Sequence, residues 1–393
     1  MAGPLDGKPA GQFSGLGFLL LGIVFVTLNL RGAITGVGPL LETIQGELGL
    51  SSGMAGLLAT LPLFAFAFVS PFAASIARWI GMERTLLLAL LVLIAGLVLR
   101  YVAGIAFLFG GTVLIGTGIA LANVLVPGLI RRDFPDRLTF VTAIFTMAII
   151  VCGGVGSAVA VPLAGWGGWR LSLVAWVIPA VIAILVWLPQ TRHATPPLRR
   201  GGLHVGGLWR SALAWQVSLF MGLQSAAFYV LTSWLPAMLA DQGISAAEAG
   251  WYLAVYQVFI LIGAIVVPAI VRRAADQALI SAGISAFILV GFIGLTLDPA
   301  RALLWVSLNG IGCGGSLVLA LSFFGLRART AQETVALSGM AQAVGYLLAA
   351  FAPIALGISH DLSGGWTAAL VLMVALSALQ VACGYLAGRP LFI

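Results

Sequence analysis

Ionisable side chains are scarce in this 393-residue chain, of which 8% is charged and which holds only 12 Asp and Glu and 3 His. Ordinary soluble domains carry roughly 25% charged residues. So few hydrated groups cannot cover a globular surface in water, which excludes a soluble domain and makes lipid the solvent. Every Asp and Glu falls in a loop, a tail or a helix end, and His193, His204 and His360 lie in loops or at a helix end. A membrane-embedded enzyme needs a nucleophile, an acid/base pair or a metal cluster at membrane depth, and the sequence offers none. No metal site, catalytic residue or cofactor is therefore expected. The three cysteines, Cys152, Cys313 and Cys383, sit in apolar runs without metal-ligand or secreted-framework spacing and read as small packing residues.

Hydrophobic residues make up 61% of the chain, and the mean hydropathy is +1.13. A hydrocarbon core of about 30 Å takes about 20 apolar residues per helix. Twelve such stretches are present, over 16–40, 52–76, 85–103, 106–130, 138–163, 169–188, 212–238, 246–271, 278–297, 302–325, 335–357 and 366–387. The opening residues are polar and rich in Gly and Pro, and the apolar stretch after them is too long for a signal-peptide core. The longest polar segment follows the sixth stretch and reads as a linker. The expected layout is a tail over 1–15, a six-helix half over 16–188, a linker over 189–211, a second half over 212–387 and a tail over 388–393.

A net charge of +7 gains meaning only when the charges are placed. Fifteen of the nineteen Lys and Arg fall on one side of the twelve-span layout, among them Lys8, Arg78, Arg84, Arg131, Arg132, Arg199, Arg200, Arg272, Arg273 and Arg389. Arg100, Arg170 and Arg301 are assigned to loops on the other side, with Glu47, Asp241 and Asp298. The positive-inside rule puts both termini and the linker in the cytoplasm. The basic excess is thus topological, and no nucleic-acid partner is expected.

The two halves repeat. GLSSGMAG (49–56) recurs as GISAAEAG (243–250), 194 residues on; GGW (167–169) recurs at 364–366; and Gly116 and Gly118 map onto Gly310 and Gly312. Parallel repeats of this kind place a substrate site near the midplane, between the halves. Strings of small residues such as CGGVGSAVA (152–160) let helices approach closely.

One basic residue remains after the loops are filled. Arg31 lies inside the first stretch, with Thr27 and Thr35 at four-residue intervals on its face and Asn29 nearly opposite. Asn29 suits either helix packing or the cavity. A buried guanidinium offers five fixed donors and cannot discharge, which suits an anion, a nitro group or a carboxylate. The competing reading is a structural arginine bonding carbonyls of neighbouring helices. The repeat sets Thr27 and Arg31 against Gln224 and Phe228, with Tyr229 beside them. Asn123 in the fourth stretch, Tyr256 and Gln257 in the eighth, and Gln342 and Tyr346 in the eleventh supply the remaining polar and aromatic groups. Each of these serves as interhelical glue or as ligand contact, and a ligand site needs several converging.

The runs LNLRGAITGVGPLL (28–41), PFAASIARWIGMER (71–84), NVLVPGLIRRDF (123–134), SWLPAML (233–239) and SGMAQAVGYLLAAFAP (338–353) resemble the cyanate and 2-nitroimidazole permease family of the major facilitator superfamily, and are more similar to its nitroimidazole branch. The resemblance implies an all-α polytopic fold of twelve transmembrane helices in two pseudo-symmetric six-helix halves. It also implies a monomeric carrier in a bacterial inner membrane that moves a small anion or polar nitrogen heterocycle by alternating access, with Arg31 as anchor. Trp234 stands in the family's W-L-P, and Arg78 stands where the superfamily loop usually has Asp, followed by Arg84. These three are the gating candidates. An efflux carrier of broader specificity is the alternative, and a channel or a receptor stands behind it.

Overall fold

The computed structural model describes residues 10–193, 205–271, 274 and 276–393, so the central part of the expected linker lies outside the described residues. The fold is helical throughout: α1 (Ala10–Thr27), α2 (Gly32–Thr35), α3 (Leu41–Leu48), α4 (Ser52–Ile80), α5 (Met82–Tyr101), α6 (Ile105–Asp133), α7 (Leu138–Val174), α8 (Val177–Trp187), α9 (Val205–Leu208), α10 (Ala212–Ala240), α11 (Ala246–Val271), α12 (Ala278–Leu297), α13 (Ala302–Leu326), α14 (Ala331–Ser363) and α15 (Thr367–Ala387). Among the described residues, eleven helices are long and apolar enough to cross a membrane.

The sixth expected span, 169–188, is helical in two pieces. Gly167 and Gly168 leave helical geometry inside α7, Gly168 at φ +80°. The chain then resumes as helix, turns at Ala175 and Trp176, and continues as α8. The helix expected from residue 16 begins at Ala10, inside the segment assigned to the tail.

The first span corrects the sequence reading more deeply. Leu28–Arg31 are in turns, not helix, and Leu30 N–H bonds the carbonyl three residues back, on Thr27, at 3.0 Å. No proline stands there. The break has tertiary causes, and it ends the polar stripe that Thr27, Arg31 and Thr35 would share on a continuous helix.

The repeat has mechanical content. Gly49 (φ +64°) and Gly243 (φ +77°) adopt the left-handed conformation open to glycine. Two residues later Ser51 and Ser245 accept the N–H of Met54 and Glu248 at 3.3 Å, capping α4 and α11. The Trp169 indole donates to Glu47 at 2.6 Å, and the Trp366 indole donates to Asp241 at 2.8 Å. At the opposite end of the bundle Arg132 pairs with Glu83 at 2.6 Å, and Arg327 donates to Gln277, also at 2.6 Å. Each half is therefore laced at both ends by equivalent contacts.

The halves meet tightly at the basic end, which carries Arg78, Arg131, Arg132 and Arg327. A Cβ added at Gly128 would lie 2.2 Å from Val335, one at Gly339 would lie 2.9 Å from the Ser70 carbonyl oxygen, and one at Gly325 would lie 2.5 Å from Leu138. These three glycines let α6, α14 and α13 reach their partners across the two halves. The other end, with Glu47, Asp241 and Asp298, is where the halves part.

Candidate substrate cavity

Between the halves lies a cavity in two lobes of about 600 and 490 Å³. The lobes share Arg31, Thr35, Ser157, Met221, Phe228, Tyr229, Gln257, Leu317 and Tyr346 as walls. Asn123 and Gln342 line the second lobe near the closed basic end, and the exposed Gly38 and Pro39 stand at its other end. The space thus opens toward the acidic end.

Arg31 is the one charged residue among the described residues that line it. It sits at the mouth of α2 with φ −136° and ψ −38°. Its side chain reaches toward the second half. The guanidinium carbon stands 4.9 Å from the Phe228 ring centroid and 5.9 Å from that of Tyr229, both on α10. The two rings meet edge to face at 5.1 Å. Among the described residues no carboxylate or carbonyl holds the guanidinium, so its donors face the cavity. Cation–π contact supplies roughly 0.5–2 kcal/mol and leaves the in-plane N–H groups free for a ligand.

The other expected residues divide. Thr35, Asn123, Gln224, Phe228, Tyr229, Gln257, Gln342 and Tyr346 line the cavity with Arg31. The Gln224 amide donates to the Cys313 carbonyl at 3.4 Å, and that of Gln342 donates to the Asn123 carbonyl at 3.0 Å and to Ser338 at 2.9 Å. The Gln342 carbonyl oxygen is buried and has no hydrogen-bond partner among the described residues. Tyr346 packs on Phe66 from the first half, ring centroids 4.8 Å apart.

Thr27, Asn29 and Tyr256 do not line the cavity. Thr27 is buried and returns its hydroxyl to the Ile23 carbonyl at 2.6 Å. Asn29 is the packing residue of its two readings: its amide bonds the Phe25 carbonyl at 2.8 Å and the Pro179 carbonyl at 3.3 Å, tying the first break to α8. Both were placed by helical periodicity, which stops at the break. Tyr256 lies one layer behind, stacked on Phe228 at 6.3 Å with its hydroxyl on Cys313 at 3.3 Å, and so backs the ring that carries Arg31.

The gating candidates also stand outside the cavity. Trp234 donates to the Pro353 carbonyl at 2.8 Å and packs on Trp366. Arg78 donates to Ser75 at 2.6 Å, and Arg84 is exposed. Arg100, assigned from sequence to an outer loop, is 2% exposed near the end of α5 and donates to the Ala33 carbonyl at 3.1 Å. That carbonyl is free because Val37 N–H turns to Ile34 instead. Ser157 and Ser225 line the larger lobe and were not singled out from sequence. Ser157 lay in the small-residue string CGGVGSAVA, where hydroxyl and glycine serve packing equally well and no periodic signal separates them.

The sequence is 44% identical over 375 residues to the 2-nitroimidazole transporter of Escherichia coli (strain K12), covering 94% of this chain and 95% of that one. It is 28% identical over 357 residues to the cyanate transport protein CynX of the same strain, covering 88% and 91%. The fold matches the proton:xylose symporter XylE with a TM-score of 0.78 at 13% identity, over 94% of this chain and 95% of that one. The sequence profile described as Major Facilitator Superfamily matches residues 19–353. A multi-pass helical bundle in two laced halves around a central cavity, with transporters such as these as its relatives, belongs to the major facilitator superfamily of secondary transporters.

Proposed function

We propose that this transporter carries a small planar nitrogen heterocycle with a polar, anion-like substituent, as in 2-nitroimidazole, and that Arg31 is its anchor. The observation that carries the reading is the Arg31 guanidinium, set against Phe228 and Tyr229 and unclaimed by any described protein acceptor. A flat ring stacks on the aromatic walls while its nitro oxygens accept the paired N–H groups. Gln224, Gln257, Gln342 and Tyr346 complete the polar edge. A cavity of about 600 Å³ is the size that holds a small organic ligand, and a three-atom anion would fill little of it. This favours the heterocycle over cyanate. The name of the 44% identical relative, a 2-nitroimidazole transporter, supports the same substrate chemistry.

The site alternates between the two sides, with the basic end, both termini and residue 200 in the cytoplasm of a bacterial cell and the protein acting as a monomer. Trp234 ties α10 to α14 beside Pro236 and Pro353 and guards the outer side, while Arg78 and Arg84 lie at the inner one. In proteoliposomes, 2-nitroimidazole flux will saturate and will be accelerated by unlabelled 2-nitroimidazole on the opposite side. Flux without saturation or counter-stimulation would indicate a channel, and no flux would remove the substrate reading. Reporter fusions at residue 200 and at the C-terminus test the orientation, since a periplasmic signal at either contradicts it.

A further inference from the structure

The break in the first span has a chemical occupant. In an uninterrupted helix Gly32 N–H would bond the Leu28 carbonyl, four residues back. Here the Cys152 thiol of α7 stands between the two groups. Gly32 N–H donates to Sγ at 3.2 Å, and the thiol donates onward to the Leu28 carbonyl. A side chain inserted into the helical ladder is one of the few recognised causes of a sharp break. It also solves the problem that the break creates, because a backbone donor and acceptor released inside a membrane have no water to turn to.

Neighbouring contacts are built around this insertion. A Cβ at Gly32 would lie 2.2 Å from the Trp176 ring, and one at Gly156 would lie 2.6 Å from the Gly32 carbonyl oxygen. The second piece of the span therefore lies directly on α7 and against Trp176. Thr35 donates to the Gly153 carbonyl at 2.8 Å, and a Cβ at Gly153 would be 3.0 Å from the Arg31 side chain. Arg31 is the last residue of the broken segment, so the shape of the break sets the direction in which its guanidinium leaves the backbone.

We infer that Cys152 is a positioning residue: its thiol holds the first span open at Leu28 and Gly32, and thereby aims Arg31 at Phe228 across the cavity. The inference rests on the proposed role of Arg31 for its functional consequence, but not for its structural one. Removing the thiol leaves two courses. The ladder closes and turns Arg31 away from the second half, or the break persists with a carbonyl and an amide unpaired.

The test compares Cys152→Ala, which loses donor and acceptor, with Cys152→Ser, which keeps both, by two readouts on purified full-length protein. In Cys152→Ala, amide hydrogen exchange over the 28–36 segment will change by about tenfold or more, as expected when a buried hydrogen bond is lost. The change is acceleration if the break stays open and protection if the ladder closes. Binding of 2-nitroimidazole will weaken by about tenfold for the same reason, and Cys152→Ser will recover most of both. Unchanged exchange in Cys152→Ala overturns the inference. So does altered exchange with unaltered affinity, because the thiol would then be structural only. If wild-type protein does not bind 2-nitroimidazole, the substrate reading fails on its own and the exchange readout alone decides. If Cys152→Ala does not yield monodisperse protein, the serine variant decides: near wild-type exchange and affinity sustain the inference, and their loss in a folded Cys152→Ser protein refutes it.

Discussion

The Arg31 guanidinium carbon lies 4.9 Å from the centroid of the Phe228 ring, so the charge that one half contributes rests on an aromatic face contributed by the other. Tyr256 stacks behind that ring and is itself held by Cys313, which leaves the ring little freedom to retreat. Any motion that separates the halves on this side must slide the guanidinium off its aromatic seat. In the proposed mechanism, a ligand bridging Arg31 and the α10 face would compensate for that contact and link occupancy to the motion.

Replacing Arg31 with Gln will weaken 2-nitroimidazole binding by about 10- to 100-fold, the loss expected for a charge-assisted hydrogen bond of about 1.5–3 kcal/mol. The protein will still insert and elute as a single species. Arg31→Lys will restore only part of the affinity, since an ammonium keeps the charge and loses the planar fork. Isothermal titration on detergent-purified variants checks this, and wild-type affinity in Arg31→Gln would move the anchor elsewhere.

How far the sequence revealed this arrangement depends on the kind of signal each residue carries. Periodicity and apolar length locate the spans, and the long-period repeat leads to Gln224 and Phe228 on the face opposite Arg31, with Tyr229 beside them. Thr27 and Asn29 were misplaced because a period of 3.6 residues holds only while the helix is continuous. The interruption at Leu28–Arg31 is written in Cys152, Trp176 and Arg100, which are distant in sequence and carry no local marker. The lacing pairs Trp169–Glu47 and Trp366–Asp241 were half legible: the GGW repeat was found, while its acceptors are different acids and do not align as identities.

At the basic end, Glu83→Ala will lower the melting temperature more than Glu83→Ala combined with Arg132→Ala. Glu83 is nearly buried and Arg132 is a quarter exposed, so removing the carboxylate takes one partner from a partly desolvated guanidinium. Losing one partner of a buried pair costs about 3–5 kcal/mol. That figure is an upper bound here, because solvent reaches Arg132 and Asp133 also binds it at 2.8 Å. Thermal unfolding of the two single variants and the double variant in one detergent measures the coupling.

Hydrogen bonds from Arg170 and then Trp169 hold the Glu47 carboxyl below its ordinary value. A carboxyl whose folded value is depressed adds stability that is fully present above its unfolded value of about 4.3 and is lost as the pH falls through the folded value. Glu47→Gln will therefore melt below wild type at pH 7, and the gap will close as the pH is lowered from about 5 toward 3. A gap that widens on acidification would contradict the assigned direction.

The Gln342 amide on α14 donates to the Asn123 carbonyl on α6 at 3.0 Å, and this bond joins the halves where the cavity stops. Nearby, Gly339 sits against the Ser70 carbonyl, too close for a Cβ, so small separations of α14 from α4 expose Ser70 first. Removing the amide with Gln342→Ala deletes a cross-half bond of about 0.5–1.5 kcal/mol net. That shifts the balance between outward- and inward-open forms by a factor of about 2 to 12, at 1.4 kcal/mol per tenfold. With the three native cysteines changed to Ser, a cysteine at position 70, Ser70→Cys, will react slowly with a small permeant maleimide while Gln342 is present. It will react several-fold faster in the Gln342→Ala background without loss of melting temperature. The ligand adds a second condition, because 2-nitroimidazole bound at Arg31 and at the unpaired Gln342 carbonyl draws the halves together and will slow labelling in the Gln342 protein. Equal labelling rates in the two backgrounds would show that glycine packing alone closes this end.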